Sequence, residues 1–143
     1  MNNLSIIVPI LRESKNLENL VLKISQNIPF ENYEIIFVDD NSKDGTEEIC
    51  FEMKKKIKQL NLIIRKEKPK DLTKSCILGF KHSKFENILV MDGDLQHDPS
   101  SIPKLINTYF NQNCDIVIGS RNLFKKKNLG LSLKKCFDFI FIE

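Results

Sequence analysis

Five short apolar runs, separated by longer amphipathic stretches, restrict what this chain can fold into more than any other feature. The runs are Leu4–Val8, Glu34–Val38, Leu62–Arg65, Ile88–Met91 and Asp115–Ile118. Their length and near-continuous apolar character suit strands buried on both faces. Between the first two, Leu17, Leu20, Val21 and Ile24 recur at helical spacing, and a helix is expected from Ser14 to about Ile28. A second helix, capped by Thr46, is expected to reach about Leu60. Asp71 N-caps a third that carries Cys76, Ile77, Leu78 and Phe80. Asp98-Pro99 opens a fourth, with a cap and a proline at the first helical position. Pro9 is expected to close the first strand. Strands that alternate with helices in this way form βαβ units. The expected class is α/β, a Rossmann-like and mostly parallel sheet flanked by helices.

At 143 residues the chain is the size of one domain. A hydrophobic share of 41% and a charged share of 29% are those of an ordinary globular protein, which excludes a disordered or fibrous chain. The net charge of +3 is unevenly placed. Residues 1–120 hold 16 basic and 17 acidic side chains, whereas residues 121–143 hold 6 and 2. Polyanion binding is therefore expected toward the C-terminal end. Cys50, Cys76, Cys114 and Cys136 form no CxxC pair, so structural zinc is not expected and reduced thiols are. No apolar run reaches the length of a membrane span, and the first residues lack the form of a signal peptide. The apolar ending, Phe137 to Glu143, leads us to expect the front part of a longer protein.

Ligands of open α/β sheets bind beyond the carboxyl ends of the strands. Two such ends here are acidic. The second strand runs into Asp39-Asp40-Asn41-Ser42-Lys43-Asp44-Gly45-Thr46, and the fourth into Met91-Asp92-Gly93-Asp94-Leu95-Gln96-His97-Asp98-Pro99. The first of these could be no more than an acidic turn and a helix cap. In the second, if the chain stays extended, Asp92, Asp94 and Gln96 project to one side. Three oxygen ligands converging on one point suit Mg²⁺ or Mn²⁺ better than a soft metal. An ion held there could bind a diphosphate.

Taken together, Val8-Pro9 with Glu13, the Asp39–Thr46 run, Met91–Pro99 and Gly119-Ser120-Arg121 resemble the family 2 glycosyltransferases of the GT-A fold. Among these the likeness is to the polyprenyl-phosphate (dolichol-phosphate) mannosyl- or glucosyltransferases. The motifs occur in the family's order and span nearly the whole chain. The resemblance implies that Pro9 and Glu13 line the base and ribose pocket, that Asp39 bonds the base and that Asp40 supports it. It implies that Asp92, Asp94 and Gln96 hold the metal and the sugar diphosphate. Arg121 would reach the phosphates, where a guanidinium fork binds well. Ser132-Leu133-Lys134-Lys135 matches the segment that meets the lipid phosphate. Residues 1–121 would form the nucleotide-sugar-binding core, and residues 122–143 a basic segment on the acceptor side, near the membrane. The chain departs from the family at Leu11 and Arg12, where an aromatic residue and Asn are common. It departs again at Pro69-Lys70-Asp71-Leu72-Thr73, where many relatives carry glycines.

The implied reaction is inverting transfer of mannose or glucose from GDP-mannose or UDP-glucose to polyprenyl phosphate at the cytoplasmic face of a membrane. The catalytic assignments are Asp94 and Arg121, and no nucleic-acid partner is expected. A related transferase acting on a sugar hydroxyl, and a nucleotide-binding fragment without turnover, are the competing readings. A receiver-like phosphorylation domain also places acids at strand ends, but it wants them after the first strand, where this chain has Pro9.

Overall fold

The computed structural model describes residues 3–112, 115–120 and 137–142. Strands β1 (Leu4–Ile10), β2 (Tyr33–Asp39), β3 (Leu60–Ile64) and β4 (Ile88–Met91) alternate with helices α1 (Leu17–Asn27), α2 (Thr46–Lys56) and α3 (Leu72–His82). A short 3₁₀ turn, Pro99–Ser101, leads into α4 (Ile102–Gln112), and β5 (Ile116–Ser120) and β6 (Phe137–Ile142) follow. The sheet order is β3-β2-β1-β4-β6-β5. The first four strands are mutually parallel, and β6 lies antiparallel between β4 and β5. The expected α/β class and parallel sheet are present.

Side-chain alternation divides the core. Leu4, Ile6, Val8 and Ile10 of β1 join Ile35 and Phe37 of β2, Leu89 and Met91 of β4, and the apolar faces of α1 and α4 in one cluster. Ile7, Ile36 and Val38 face the other way, toward Leu78 and Phe80 of α3. At Gly79, a Cβ would stand 2.5 Å from Ile7 Cγ2, so glycine lets α3 lie directly on β1. Among the described residues Cys50 and Cys76 carry free thiols. Burial pushes Cys50 up to about 12 and, together with the charge of Asp92, Cys76 up to about 11, so both are neutral near pH 7.

Several boundaries differ from expectation. Pro9 does not close β1, which continues through Ile10 with Pro9 opposite Val38. The Ser5 amide points to the β4 side, donating to Asn87 O, and alternation turns Ile7 and Pro9 the same way. Pairing with β4 ends at Ile7↔Val90, so the proline's missing N–H falls just past that ladder. Helix α1 begins at Leu17 rather than Ser14, α2 stops at Lys56, and β3 starts at Leu60. Asp115–Ile118 is not the last strand, because Phe137–Ile142 forms β6.

Candidate functional site

The carboxyl ends of β1, β2 and β4 lie side by side in the sheet, and the chain leaves each in a tight turn. After β2, Asn41 (φ 57°), Lys43 (φ 56°) and Gly45 (φ 89°) all take the left-handed conformation. Asp39 stabilises that turn. Its carboxylate accepts the Ser42 amide at 3.0 Å and the Ser42 hydroxyl, and that hydroxyl oxygen in turn accepts the Arg12 amide at 2.8 Å. Asp39 is buried, with both oxygens engaged by Ser42. Thr46 is not the cap of α2. Gly45 occupies the cap position, and the Asp44 carboxylate takes the Thr46 hydroxyl at 2.6 Å and the Ser14 amide at 3.2 Å.

Burial pushes Asp44 upward, but the bonds from Thr46 and Ser14 outweigh it and hold its pKa below the ordinary 3.8. A carboxylate with a lowered folded pKa adds stability that is complete above its unfolded value and fades as pH falls through the folded one. We expect Asp44→Ala to lower unfolding free energy by about 1 kcal/mol near neutrality, since it removes the hydrogen bonds that its carboxylate accepts from Thr46 and Ser14. Urea denaturation at several pH values should show the difference between variant and wild type shrinking below about pH 4.

The Asp92 segment does not stay extended. Strand β4 ends at Met91 and the following residues turn, with Leu95 at φ 61°. Asp94 Oδ1 accepts the Gln96 amide at 3.0 Å, which closes an Asx turn and leaves the Gln96 side chain exposed. The period-two argument for a three-ligand set therefore fails at Gln96, since a side-chain-to-backbone bond displaces the strand geometry it needed. Asp92 and Asp94 remain neighbours at the rim. The Asp92 amide donates to His97 Nδ1 at 3.1 Å, so the neutral ring carries its proton on Nε2, 3.4 Å from Asp92 Oδ2. His97 is buried, and it orients Asp92.

Gly93 separates the two acids for a steric reason. A Cβ there would sit 2.6 Å from Ile10 Cγ2, in the strand that carries the neighbouring rim. Gly93→Ala is expected to cost about 1–3 kcal/mol by overpacking and to shift the acid pair. A lower midpoint in thermal unfolding, together with weakened Mn²⁺ binding, would show both effects.

Asp92 and Asp94 are partly exposed, and among the described residues neither is paired with Lys or Arg. Two uncompensated hard oxygen donors fit Mg²⁺ or Mn²⁺. Among the described residues no three His, Cys, Asp or Glu side chains gather as a closed metal site.

Two pockets open at this rim. Pro9, Leu11, Asp40, Lys70, Asp71, Leu72 and Ser75 line a pocket of about 180 Å³. Glu13 lines a second of about 610 Å³, with Ser42, Asp44 and Asn16, and its carboxylate accepts the Asn16 amide group at 2.6 Å. Asp40 is buried between the Arg65 guanidinium, 2.7 Å from Oδ1, and the Asp71 amide, 2.6 Å from Oδ2. In the sequence Arg65 is only the end of an apolar run. The available signal was a charged residue closing an apolar run. Arg121, Lys134 and Lys135 lie outside the described residues.

The parallel β3-β2-β1-β4 sheet flanked by helices, with acidic strand ends at one rim, is the GT-A fold of nucleotide-diphospho-sugar transferases. Solved structures share this fold. A crystal structure of S. aureus TarS (residues 1–349) superposes with a TM-score of 0.71 at 19% identity, over 94% of this chain and 40% of that one. The mannosyltransferase PcManGT from Pyrobaculum calidifontis, in complex with GDP-Man and Mn²⁺, gives 0.70 at 18% identity, over 86% of this chain and 37% of that one. The sequence pattern of glycosyl transferase family 2 matches residues 5–141, and the chain belongs to that family. A dolichol-phosphate mannosyltransferase of Pyrococcus furiosus is 44% identical over 117 residues, covering 82% of this chain and 32% of its own length. One from Mycosarcoma maydis is 33% identical over 137 residues, covering 92% and 44%. The chain spans less than half the length of these curated relatives.

Proposed function

We propose that this chain forms the donor side of an inverting glycosyltransferase that moves mannose or glucose from GDP-mannose or UDP-glucose to polyprenyl phosphate. The observation that carries this reading is the pair of partly exposed carboxylates, Asp92 and Asp94, with no Lys or Arg partner among the described residues, at the same rim as the Pro9–Asp40–Asp71 pocket. The names of the Pyrococcus and Mycosarcoma relatives support the acceptor. The PcManGT complex with GDP-Man and Mn²⁺ supports the donor and the ion.

In this reading Pro9 and Asp40 line the base end of the donor, Asp39 holds the adjoining turn, and Glu13 meets the ribose from the neighbouring pocket. Asp92 and Asp94 would hold Mg²⁺ or Mn²⁺, which when bound neutralises charge on the departing nucleoside diphosphate. His97 Nδ1 accepts the Asp92 backbone amide, and its Nε2 lies 3.4 Å from the Asp92 carboxylate, so the ring packs against Asp92 on both its backbone and its side chain. Arg121 assists at the phosphates, and Lys134 and Lys135 meet the acceptor phosphate. A phosphate monoester has its second pKa near about 6, so the acceptor is largely ionised at neutral pH and needs no general base. His97 Nδ1 already accepts the Asp92 amide, which suits a reaction in which that nitrogen takes no proton.

Peripheral contact with the cytoplasmic face of a membrane follows from a lipid acceptor and the basic residues of 121–143. Among the described residues no helix is long and apolar enough to cross a membrane.

Calorimetric titration of the chain with GDP and UDP, with and without Mn²⁺, is the first test. Metal-dependent binding of one nucleotide would identify the donor base. Transfer of labelled sugar to a polyprenyl phosphate, and not to a free sugar, would then establish the acceptor. A folded chain that binds neither nucleotide would remove the donor-site reading.

A further inference from the structure

Arg65 is a buried cation, 3% exposed, at the carboxyl end of edge strand β3. Its amide donates to Asp39 O at 2.8 Å, which fixes the backbone against β2. Its Nη2 donates to Pro69 O at 2.8 Å and lies 2.7 Å from Asp40 Oδ1. The other oxygen of Asp40 accepts the Asp71 amide, and Asp71 caps α3 by accepting the Lys74 amide at 3.0 Å. One buried ion pair thus joins the end of β2, the loop at 66–70 and the first turn of α3. Lys70, Asp71, Leu72 and Ser75 are the wall of the pocket that faces Pro9 and Leu11. Arg65 does not line that pocket itself.

The pair is poorly built for stability. A guanidinium offers five N–H donors, yet Nε and Nη1 make no hydrogen bond among the described residues. Nη1 comes only within 3.8 Å of the exposed Glu67 carboxylate. The contact with Asp40 Oδ1 is close, but its angle falls short of a hydrogen bond. Apolar side chains of similar volume stabilise such a place as well or better. What they would not do is hold Pro69 O and the Asp71 amide at set positions. In the described residues, those two hydrogen bonds are what tie the 66–71 segment to the sheet.

We propose that Arg65 is a positioning residue for donor binding, acting through Asp40 and Pro69 to set the 66–71 wall of the pocket beside Pro9. This rests on the donor-site reading above and adds to it a residue that would not touch the nucleotide.

The test is the double variant Arg65→Met/Asp40→Asn in the full chain. It removes both charges and leaves an amide oxygen for the Asp71 N–H. Its urea midpoint is expected close to wild type, while either single change, which strands one buried charge, lowers it. Amide hydrogen exchange at Asp71, the amide of the 66–71 segment that is hydrogen-bonded among the described residues, should speed up at least tenfold, with β1 and β2 amides unchanged. The Kd for the nucleoside diphosphate that wild type binds should rise tenfold or more. If the double variant does not fold, Arg65→Lys serves instead, since its ammonium keeps the charge beside Asp40 but lacks the second arm of the guanidinium. Wild-type exchange at Asp71 in a folded variant would overturn the proposal. So would loosened exchange with an unchanged Kd. If wild type binds neither GDP nor UDP, the donor-site reading fails and the positioning role for donor binding falls with it. In that event the exchange pattern alone decides whether Arg65 sets the loop.

Discussion

Replacing Asp94 by Asn is expected to weaken metal-dependent binding of nucleoside diphosphate about a hundredfold or more, with the fold intact. Asp94 is at a turn, partly exposed, and its Oδ1 accepts the Gln96 amide, a bond that the Asn oxygen can keep. The substitution therefore removes a charge and leaves the turn. Changes to outer groups around a metal cost about 10–100-fold in affinity, and a direct oxygen ligand should cost at least the upper end of that range. The measurement is titration of GDP or UDP in Mn²⁺, paired with thermal unfolding. A variant that unfolds like wild type but loses only the metal-dependent part of the affinity assigns Asp94 to the ion. One that binds nucleotide as wild type does, with the same Mn²⁺ dependence, would remove Asp94 from the site. Asp92→Asn should act in the same direction, although the residue's link to His97 adds a conformational effect.

Phe37→Ala should lower unfolding free energy by about 3–5 kcal/mol, the usual cost of emptying a large aromatic site in a core. Phe37 is fully buried at the middle of β2, opposite Val8 on one side and Leu62 on the other. It lies in the larger core cluster, with α1 and α4 above the sheet, so little space exists into which neighbours can relax. Against a total stability of about 5–15 kcal/mol for a typical domain, that loss takes much of the folded population's margin. Urea unfolding should show a lower midpoint with an unchanged slope. A loss below about 1 kcal/mol would mean that the two-sided packing of β2 is wrong. Because β2 ends in Asp39 and Asp40, nucleotide affinity should fall only as far as the unfolded fraction requires.

The acidic strand ends were legible because they need only local reasoning. An apolar run of four or five residues is a buried strand, and polar residues that follow it mark a rim where ligands bind. Asp39, Asp40, Asp92 and Asp94 were found this way, as was Asp71 as the cap of α3. Gln96 was misplaced because the period-two pattern assumed an extended chain, and the Asx turn at Asp94 is a competing local bond. Thr46 is displaced from the cap for a similar reason: its hydroxyl is taken by the Asp44 carboxylate two residues earlier, and Gly45 occupies the cap position.

By itself the sequence determined the alternation of strand and helix, the two-faced core and the acidic rim, because side-chain period and turn chemistry act over a few residues. Only the tertiary structure decided which strands are neighbours. Pro9 is tolerated inside β1 because pairing with β4 has ended there, a fact set by a strand some eighty residues away. Glu34 begins an apolar run in the sequence, yet it is buried where the Ser5 hydroxyl and the Lys84 amide, both at 2.7 Å, satisfy its carboxylate. Strand β6 sits between β4 and β5, out of chain order. Arg65 reads as the polar end of a strand until Asp40 and Pro69 are brought beside it. In each case the deciding partner is a hydrogen-bonding or charged group from another element. Burial of such a group is tolerated only when that partner arrives, and no local pattern encodes its arrival.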